Sequence, residues 1–324
     1  MTRKQLALIA VFSLISLPAM GETFVFQDGV SPTPDYAGTQ DTHIISWDDG
    51  DMPTGNSDGQ SELYRHEDGT NAGQNPPPNN YLENPQNMGG YNLMEEGDNG
   101  GGTNDSKVLL VQFDLGNAIP AARAGEVSSA QIGLYFDQYR ADNTNPSHTL
   151  YVNRILKKWA QGDGADANLH PGDNDYDGTD TPDNSGAVTW NSTGFELWQA
   201  MGAEGPEDIA STESELFFDK DVVKAGTWLW FDVKQSAKIW IADPAQNNGV
   251  KISQEVYPTE FLEPDLTLPN GKKVYSSSPV TTPTTFVNGR YVFRTSEHAE
   301  AATRPQLVIE LGGASSAGNW SIYK

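Results

Sequence analysis

The sequence predicts an all-β protein: an antiparallel two-sheet β-sandwich, jelly-roll-like, with long loop insertions and one short helix. The 324 residues include 32 Gly and 20 Pro, which is too many turn formers for a helical protein. Aromatic residues make up 10% of the chain and supply enough large apolar area for a core. Roughly ten short apolar segments alternate with turn signals, as in sandwiches and barrels.

Apolar patterning identifies the predicted strands. In Val127–Tyr139, the side chains of Ile132, Leu134 and Phe136 share one face, which is typical of a half-buried antiparallel strand. Lys107–Leu115 is apolar enough to be a central strand. Further strands are predicted at Thr23–Phe26, Asp41–Trp47, Thr149–Trp159, Ala187–Trp190, Trp228–Phe231, Val250–Ile252, Arg290–Thr295 and Gln306–Leu311.

The segment Trp228–Ile252 is predicted to form a strand, a short helix, a turn and a second strand. Asp232 is a good N-cap for the helix, and Asp243 ends it because the residue before a proline is disfavoured in helical conformation. Trp228, Trp230 and Trp240 are expected to pack in the core. A ligand site is therefore expected in the loops that this unit supports.

The chain is predicted to be a single β-sandwich domain over residues 22–312, preceded by a signal peptide and followed by a flexible Gly/Ser-rich tail over 313–324. Arg3 and Lys4, the apolar run Leu6–Leu17 and Ala19-Met20-Gly21 match the three parts of a secretory signal over residues 1–21. The apolar run is shorter than the ~20 residues that a transmembrane helix needs. We expect a protein that is secreted, extracellular or at the cell surface, with no membrane span.

Charge and cysteine content exclude several classes of function. The formal charge is −24; removing Arg3 and Lys4 from the 20 basic residues leaves 18 against 44 acidic residues, hence −26. A surface this acidic repels nucleic acid and anionic membranes. The absence of cysteine excludes disulfides, thiolate metal sites and cysteine-based catalysis.

The segment Asp173–Gly178 resembles the start of a calcium-binding loop. Asp at alternate positions lets several carboxylates converge on one hard cation, and the glycine permits a tight turn. It lacks the glutamate and the flanking helices of an EF-hand, so it is interpreted as a stand-alone calcium loop, with a solvated acidic loop as the alternative. The predicted metal ligands are Asp173, Asp175, Asp177, Asp180 and Asp183.

Three aromatic residues in loop-like sequence are the predicted ligand contacts. Trp47, Tyr91 and Trp198 could stack on the rings of a polysaccharide, with neighbouring polar side chains binding its hydroxyl groups. The alternative is that each packs over a loop. No nucleophile elbow and no zinc-ligand spacing of histidines is present, so no catalytic residue is predicted.

Short motifs follow one another in a fixed order along the chain, at Asp41–Ile44, Asn87–Leu93, Val108–Leu115, Val127–Leu134, Trp159–Gly162, Val188–Asn191, Phe231–Val233 with Trp240 and Asn248–Val250, Phe293–Glu297 and Arg304–Leu307. This ordered set resembles the DNRLRE-type domain, also classed as carbohydrate-binding module family 96. Gln112 and Met88 stand where the family pattern has arginine and tyrosine.

The resemblance implies an extracellular, non-catalytic β-sandwich that binds or organises polysaccharide. Acidic polysaccharides such as alginate are ligands that the family suggests, although the negative charge of this chain opposes them unless calcium bridges the charges. Two alternatives stay open: a self-associating subunit of an extracellular matrix or filament, and a polysaccharide-cleaving enzyme.

Overall fold

Strands with alternating apolar and polar side chains build two antiparallel layers around a shared apolar interior. The computed structural model describes residues 21–45, 92–98, 107–139, 147–162, 188, 193–196, 198–199, 202–254, 266–267, 273–274 and 289–312. Its strands and its α-helix are β1 (Glu22–Phe26), β2 (Thr39–Ile45), β3 (Leu93–Asp98), β4 (Lys107–Phe113), β5 (Val127–Tyr139), β6 (His148–Ile155), β7 (Ile209–Phe218), β8 (Thr227–Asp232), α1 (Lys234–Ala242), β9 (Val250–Ser253), β10 (Leu266–Thr267), β11 (Lys273–Val274), β12 (Gly289–Arg294) and β13 (Gln306–Leu311).

Eleven of the described strands form one hydrogen-bonded array that folds into a sandwich. Their order is β1-β13-β5-β12-β3-β4-β9-β6-β7, with β8 paired to β5 and β2 paired to β4. Strands β1, β13, β5 and β8 form the first layer, β2, β4, β9, β6 and β7 form the second, and β12 and β3 connect the two along this path. The hydroxyl of Ser214 on β7 donates to the carbonyl of Asp232 on β8 at 2.6 Å, which joins the two layers at their edges. The predicted two-sheet sandwich is therefore confirmed.

The main core lies between the layers. Ile132, Leu134 and Phe136 of β5 are fully buried, as their alternation predicted, and they belong to one cluster with Leu109 and Val111 of β4. Side chains from both layers thus bury one continuous apolar volume, which is the main stabilising contribution expected for a sandwich.

Strand β4 has a neighbouring strand along each edge and packed apolar side chains on each face. It pairs with β2 along one edge and with β9 along the other. Its odd-numbered residues Leu109 and Val111 face the main core, whereas Val108 and Leu110 face a second apolar cluster on the opposite side of the layer. This burial on both faces confirms the prediction made from its nearly continuous apolar sequence.

The predicted short helix is present as α1, and its first turn is capped from a distant strand. Val233 and not the predicted Asp232 occupies the N-cap position, and it has no side-chain acceptor; the carboxylate of Asp232 accepts from the N–H of Lys234 at 2.9 Å. The carboxylate of Glu213 on β7 accepts from the N–H groups of Gln235 and Ser236 at 2.5 and 3.0 Å. Because these N–H groups have no partner within the helix, Glu213 satisfies them and complements the helix dipole.

The turn before β9 requires glycine. Gly249 has a φ of +75°, and a β-carbon at this position would lie 2.1 Å from the carbonyl oxygen of Val111. The preceding Asn248 accepts from the indole Nε1 of Trp159 at 2.8 Å. Gln112, at the position where the resemblance led us to expect arginine, donates to the carbonyl of Asn247 at 2.6 Å, so this side chain has a structural contact.

Four of the described strands were not predicted: β3, β7 and the short pair β10 and β11. Strand β3 contains three acidic residues in six, and β7 follows no apolar alternation. Burial explains the cases of β7 and β3: the middle of β7 has only intermediate and exposed positions at the edge of the array, and β3 places acidic side chains in the interior.

Candidate functional site

The outer face of the first layer carries a row of aromatic side chains. Along β8, Leu229 and Phe231 point into the main core, so Trp228 and Trp230 point outward and are only partly buried. The prediction that both tryptophans pack in the core is therefore wrong, whereas Trp240 of α1 is buried as predicted. Successive side chains of a strand point to opposite faces, so within the run Trp228–Phe231 only Leu229 and Phe231 face the core.

The two outward tryptophans form one surface with β5. Their ring centroids are 5.8 Å apart and their planes differ by 29°. Trp230 lies opposite Gly133 in the strand register, and Trp228 lies opposite Tyr135, whose ring it meets edge-on at 5.4 Å. We call Gly133, Tyr135, Trp228 and Trp230 the aromatic face.

Gly133 allows the indole of Trp230 to lie close to the sheet. A β-carbon at position 133 would lie 2.8 Å from the indole atom Cζ3. A glycine inside a strand pattern often indicates such a close approach, and this was the signal in the sequence that could have located the aromatic face.

One end of the aromatic face is bounded by a charged network. The guanidinium of Arg294 lies over the ring of Tyr135, 4.7 Å from its centroid. Its Nε donates to Asp137 at 2.8 Å, and its Nη1 donates to Glu300 at 2.6 Å and to Thr303 at 2.8 Å. Arg294 is thereby held in place between an aromatic ring and two carboxylates. Sequence reasoning assigned no function to these residues.

Strand register places further polar groups on the same side of the sheet. Gln131 of β5 lies opposite Asp232 of β8, and Gln306 of β13 lies opposite Gly133. Since residues at alternate positions share a face, the amides of Gln131 and Gln306 flank the aromatic face on the side of β13. An apolar surface bordered by amides and carboxylates suits a ligand with an apolar ring face and many hydroxyl groups.

The residues predicted to contact a ligand do not form a site in the described structure. Trp198 is 1% exposed and belongs to the second core cluster with Trp159, so its indole cannot stack on a sugar ring. The prediction for Trp198 is therefore corrected: it packs beneath the second layer. Trp47 and Tyr91 lie outside the described residues.

The predicted calcium loop also lies outside the described residues. This applies to all five predicted ligands, Asp173, Asp175, Asp177, Asp180 and Asp183. Within the part of the chain that the structure describes, no group of three or more histidine and acidic side chains is arranged to hold a metal ion. The calcium loop stays a prediction.

A second polar cluster lies inside the sandwich. Glu96 of β3 is fully buried, its Oε2 lies 3.3 Å from Nε2 of His148, and it accepts from Gln254 Nε2 at 3.3 Å. The ring of His148 lies against Tyr291, with centroids 4.3 Å apart, and Phe218 flanks both rings. Because these groups are enclosed by core aromatics, the cluster has a structural role in linking β3, β6 and β12.

Asp41 on β2 is a further buried carboxyl group, separate from the Glu96 cluster. It is fully buried, and its two oxygens accept from the backbone N–H of Ser296 at 2.8 Å and from its hydroxyl at 2.9 Å. Burial raises the pKa of Asp41 to about 7, although the hydrogen bonds from Ser296 act in the opposite direction. This contact ties β2 to the segment after β12 and does not reach the aromatic face.

Comparison with known proteins adds no family assignment. No family model matches the chain, and no curated protein matches it. None of the helices in the described ranges has both the length and the apolar character required to cross a bilayer.

Proposed function

We propose that the protein is an exported, non-catalytic carbohydrate-binding β-sandwich that holds a polysaccharide chain on the aromatic face. The observation that carries the proposal is the stacked pair of partly exposed indoles of Trp228 and Trp230 on the outward side of β8. The resemblance of the ordered motifs to a carbohydrate-binding family supports it independently.

The physical basis is the match between an indole and a sugar ring. The C–H bonds on one face of a pyranose ring carry partial positive charge and fit the electron-rich face of an aromatic ring. Hydroxyl groups at the ring edge can then donate to Asp137 and accept from the amides of Gln131 and Gln306. Because the two indoles are already ordered by Gly133 and Tyr135, little side-chain entropy is lost on binding.

Affinity gel electrophoresis tests the proposal. The mature chain is run through gels containing each of a panel of neutral and acidic polysaccharides, with calcium and with a chelator. We expect retardation by at least one polysaccharide, and we expect Trp230→Ala and Trp228→Ala each to weaken it about tenfold.

Phe195→Ala is the matched control, because Phe195 is an aromatic residue that is 52% exposed and lies outside the aromatic face. It should bind like the wild type. Retention of full affinity in Trp230→Ala and Trp228→Ala would exclude this face as the site. The comparison of calcium with chelator separately tests whether the predicted loop at Asp173–Asp183 contributes.

Self-association is a second candidate function, favoured by the edge strand β7. In the described array β7 pairs only with β6, and Phe217 at its end is 64% exposed. An edge strand with an exposed aromatic residue can add a strand from a second copy. Light scattering after size exclusion tests this: a mass above 35.2 kDa that rises with concentration supports a matrix subunit, and a constant monomer mass excludes it.

A further inference from the structure

We propose that the aromatic face selects neutral polysaccharides and rejects carboxylated ones. The inference rests on the proposed function, since it concerns the class of ligand that the same face takes. It is carried by the charges around Trp228 and Trp230 and by the way the cation there, Arg294, is held.

Arg294 is already paired with two carboxylates. Its Nε and Nη1 atoms bond Asp137 and Glu300, and its guanidinium covers one face of Tyr135. To bind the carboxylate of a uronic acid, Arg294 would have to exchange partners and leave Asp137 or Glu300 without its cation. That exchange contributes little to the free energy of binding, because one ion pair only replaces another.

Two further acidic side chains stand at outward-facing positions on this side of the sheet. Among the side chains that the structure describes, Asp232 and Glu310 share the outward-facing positions of β8 and β13 with Trp230 and Gln306. Burial and the charge of Arg294 lower the pKa of His298, which disfavours the cationic form of this neighbouring imidazole. Asp137 and Glu300, which bond Arg294, bring the described carboxylates around the face to four.

The charge of the whole chain acts in the same direction. At a formal charge of −24 the protein repels a polyanion at long range, and this repulsion is screened over a Debye length of about 8 Å at physiological salt. A neutral glycan meets no such barrier. The hydroxyl groups of a neutral glycan can donate to the same carboxylates that repel a uronate. Asp137 therefore binds neutral polysaccharides and repels carboxylated ones.

Matched pairs of polymers with and without carboxylates test the inference. Hydroxyethylcellulose is compared with carboxymethylcellulose, mannan with alginate, and pectic galactan with polygalacturonate, all by affinity gel electrophoresis at low salt without divalent cations. We expect retardation by at least one neutral member and weaker or no retardation by its acidic partner. Equal or stronger retardation by the acidic member overturns the selectivity and leaves carbohydrate binding intact.

A charge-neutralised variant provides the second arm. Asp137→Asn/Glu300→Gln keeps the shape of both side chains but removes the two negative charges that neutralise Arg294. At low salt we expect the affinity of this variant for an acidic polymer to rise about fivefold relative to wild type. Thermal unfolding confirms that the variant is folded. An unchanged ratio of acidic to neutral binding in a folded variant overturns the charge mechanism, whereas no retardation of wild type by any polymer overturns the proposed function itself.

Discussion

Gly133 and Trp230 face each other across β5 and β8, and the indole lies so close to the glycine that a β-carbon there would be 2.8 Å from Cζ3. The glycine is needed here for space and not for an unusual backbone conformation, because it lies within a regular strand. Because Gly133 has no side chain, the indole of Trp230 packs against the sheet and stacks on Trp228. The position of Trp230 in the aromatic face therefore depends on a residue that presents no side chain to the ligand.

Gly133→Ala is predicted to weaken glycan binding while leaving the fold intact. The methyl group would push the end of the Trp230 side chain away from the sheet and break its alignment with Trp228. The stability change should stay within about 1 kcal/mol, because alanine suits a strand better than glycine and offsets the lost contact. Affinity gels and urea denaturation measure the two effects, and wild-type binding by Gly133→Ala would contradict the role given to this contact.

Trp198→Phe is predicted to show the opposite pattern. Trp198 is 1% exposed in the second core cluster, so a smaller ring leaves a cavity beneath the second layer and costs about 1–3 kcal/mol. Glycan affinity of the folded fraction should be unchanged, since Trp198 does not reach the outer face of the first layer. Urea denaturation with parallel affinity gels tests this, and a selective loss of binding at unchanged stability would reinstate Trp198 as a ligand contact.

The apolar pattern of the sequence predicted the strands that build the core. It did not predict a strand whose buried polar side chains depend on partners from distant segments. Strands β4, β5, β9 and β13 were predicted because their own side chains are apolar enough to demand burial. Strand β3 contains Glu95 and Glu96, and Glu96 is tolerated inside only because His148 and Gln254 approach it from other segments. Such pairing across the sequence leaves no local signal.

The candidate site could be predicted only in part, because it too depends on contacts between segments that are distant in the sequence. The sequence located Trp228 and Trp230 in a strand, but it could not show which face of that strand has a second layer behind it. Their outward orientation follows from the burial of Leu229 and Phe231. The ion pair between Arg294 and Asp137 joins residues far apart in the chain, so no local motif indicated it.

Glu213→Ala is predicted to destabilise the protein by about 1–2 kcal/mol, because the first turn of α1 loses its acceptor. Glu213→Gln should cost less, since the amide oxygen still accepts hydrogen bonds but the favourable charge at the helix N-terminus is gone. Glu215→Ala, an exposed glutamate on the same strand, is the control and should change stability by less than ~0.5 kcal/mol. Urea denaturation measures all three, and equal effects of Glu213→Ala and Glu215→Ala would show that Glu213 does not cap α1.

Asp41→Asn is predicted to change how stability depends on pH. Burial raises the pKa of Asp41 from 3.8 to about 7, with smaller contributions from Asp28 and Glu297, against the opposing hydrogen bonds from Ser296. Between about pH 4 and pH 7 the folded state therefore holds a proton that the unfolded chain has released, so this group's contribution to the free energy of unfolding falls as pH rises through that window. Above pH 7 both states are ionised and the contribution is constant.

An asparagine at position 41 stays neutral at every pH, so the variant lacks this component. Relative to wild type, Asp41→Asn should gain on the order of 2–4 kcal/mol between pH 4.5 and pH 8, after a constant offset for the altered hydrogen bonds to Ser296. Asp35→Asn, which replaces an exposed carboxyl, serves as the control and should give a curve parallel to wild type. Urea denaturation at four or more pH values measures the difference. Parallel curves for Asp41→Asn and wild type would show that the buried carboxyl does not change ionisation in this range.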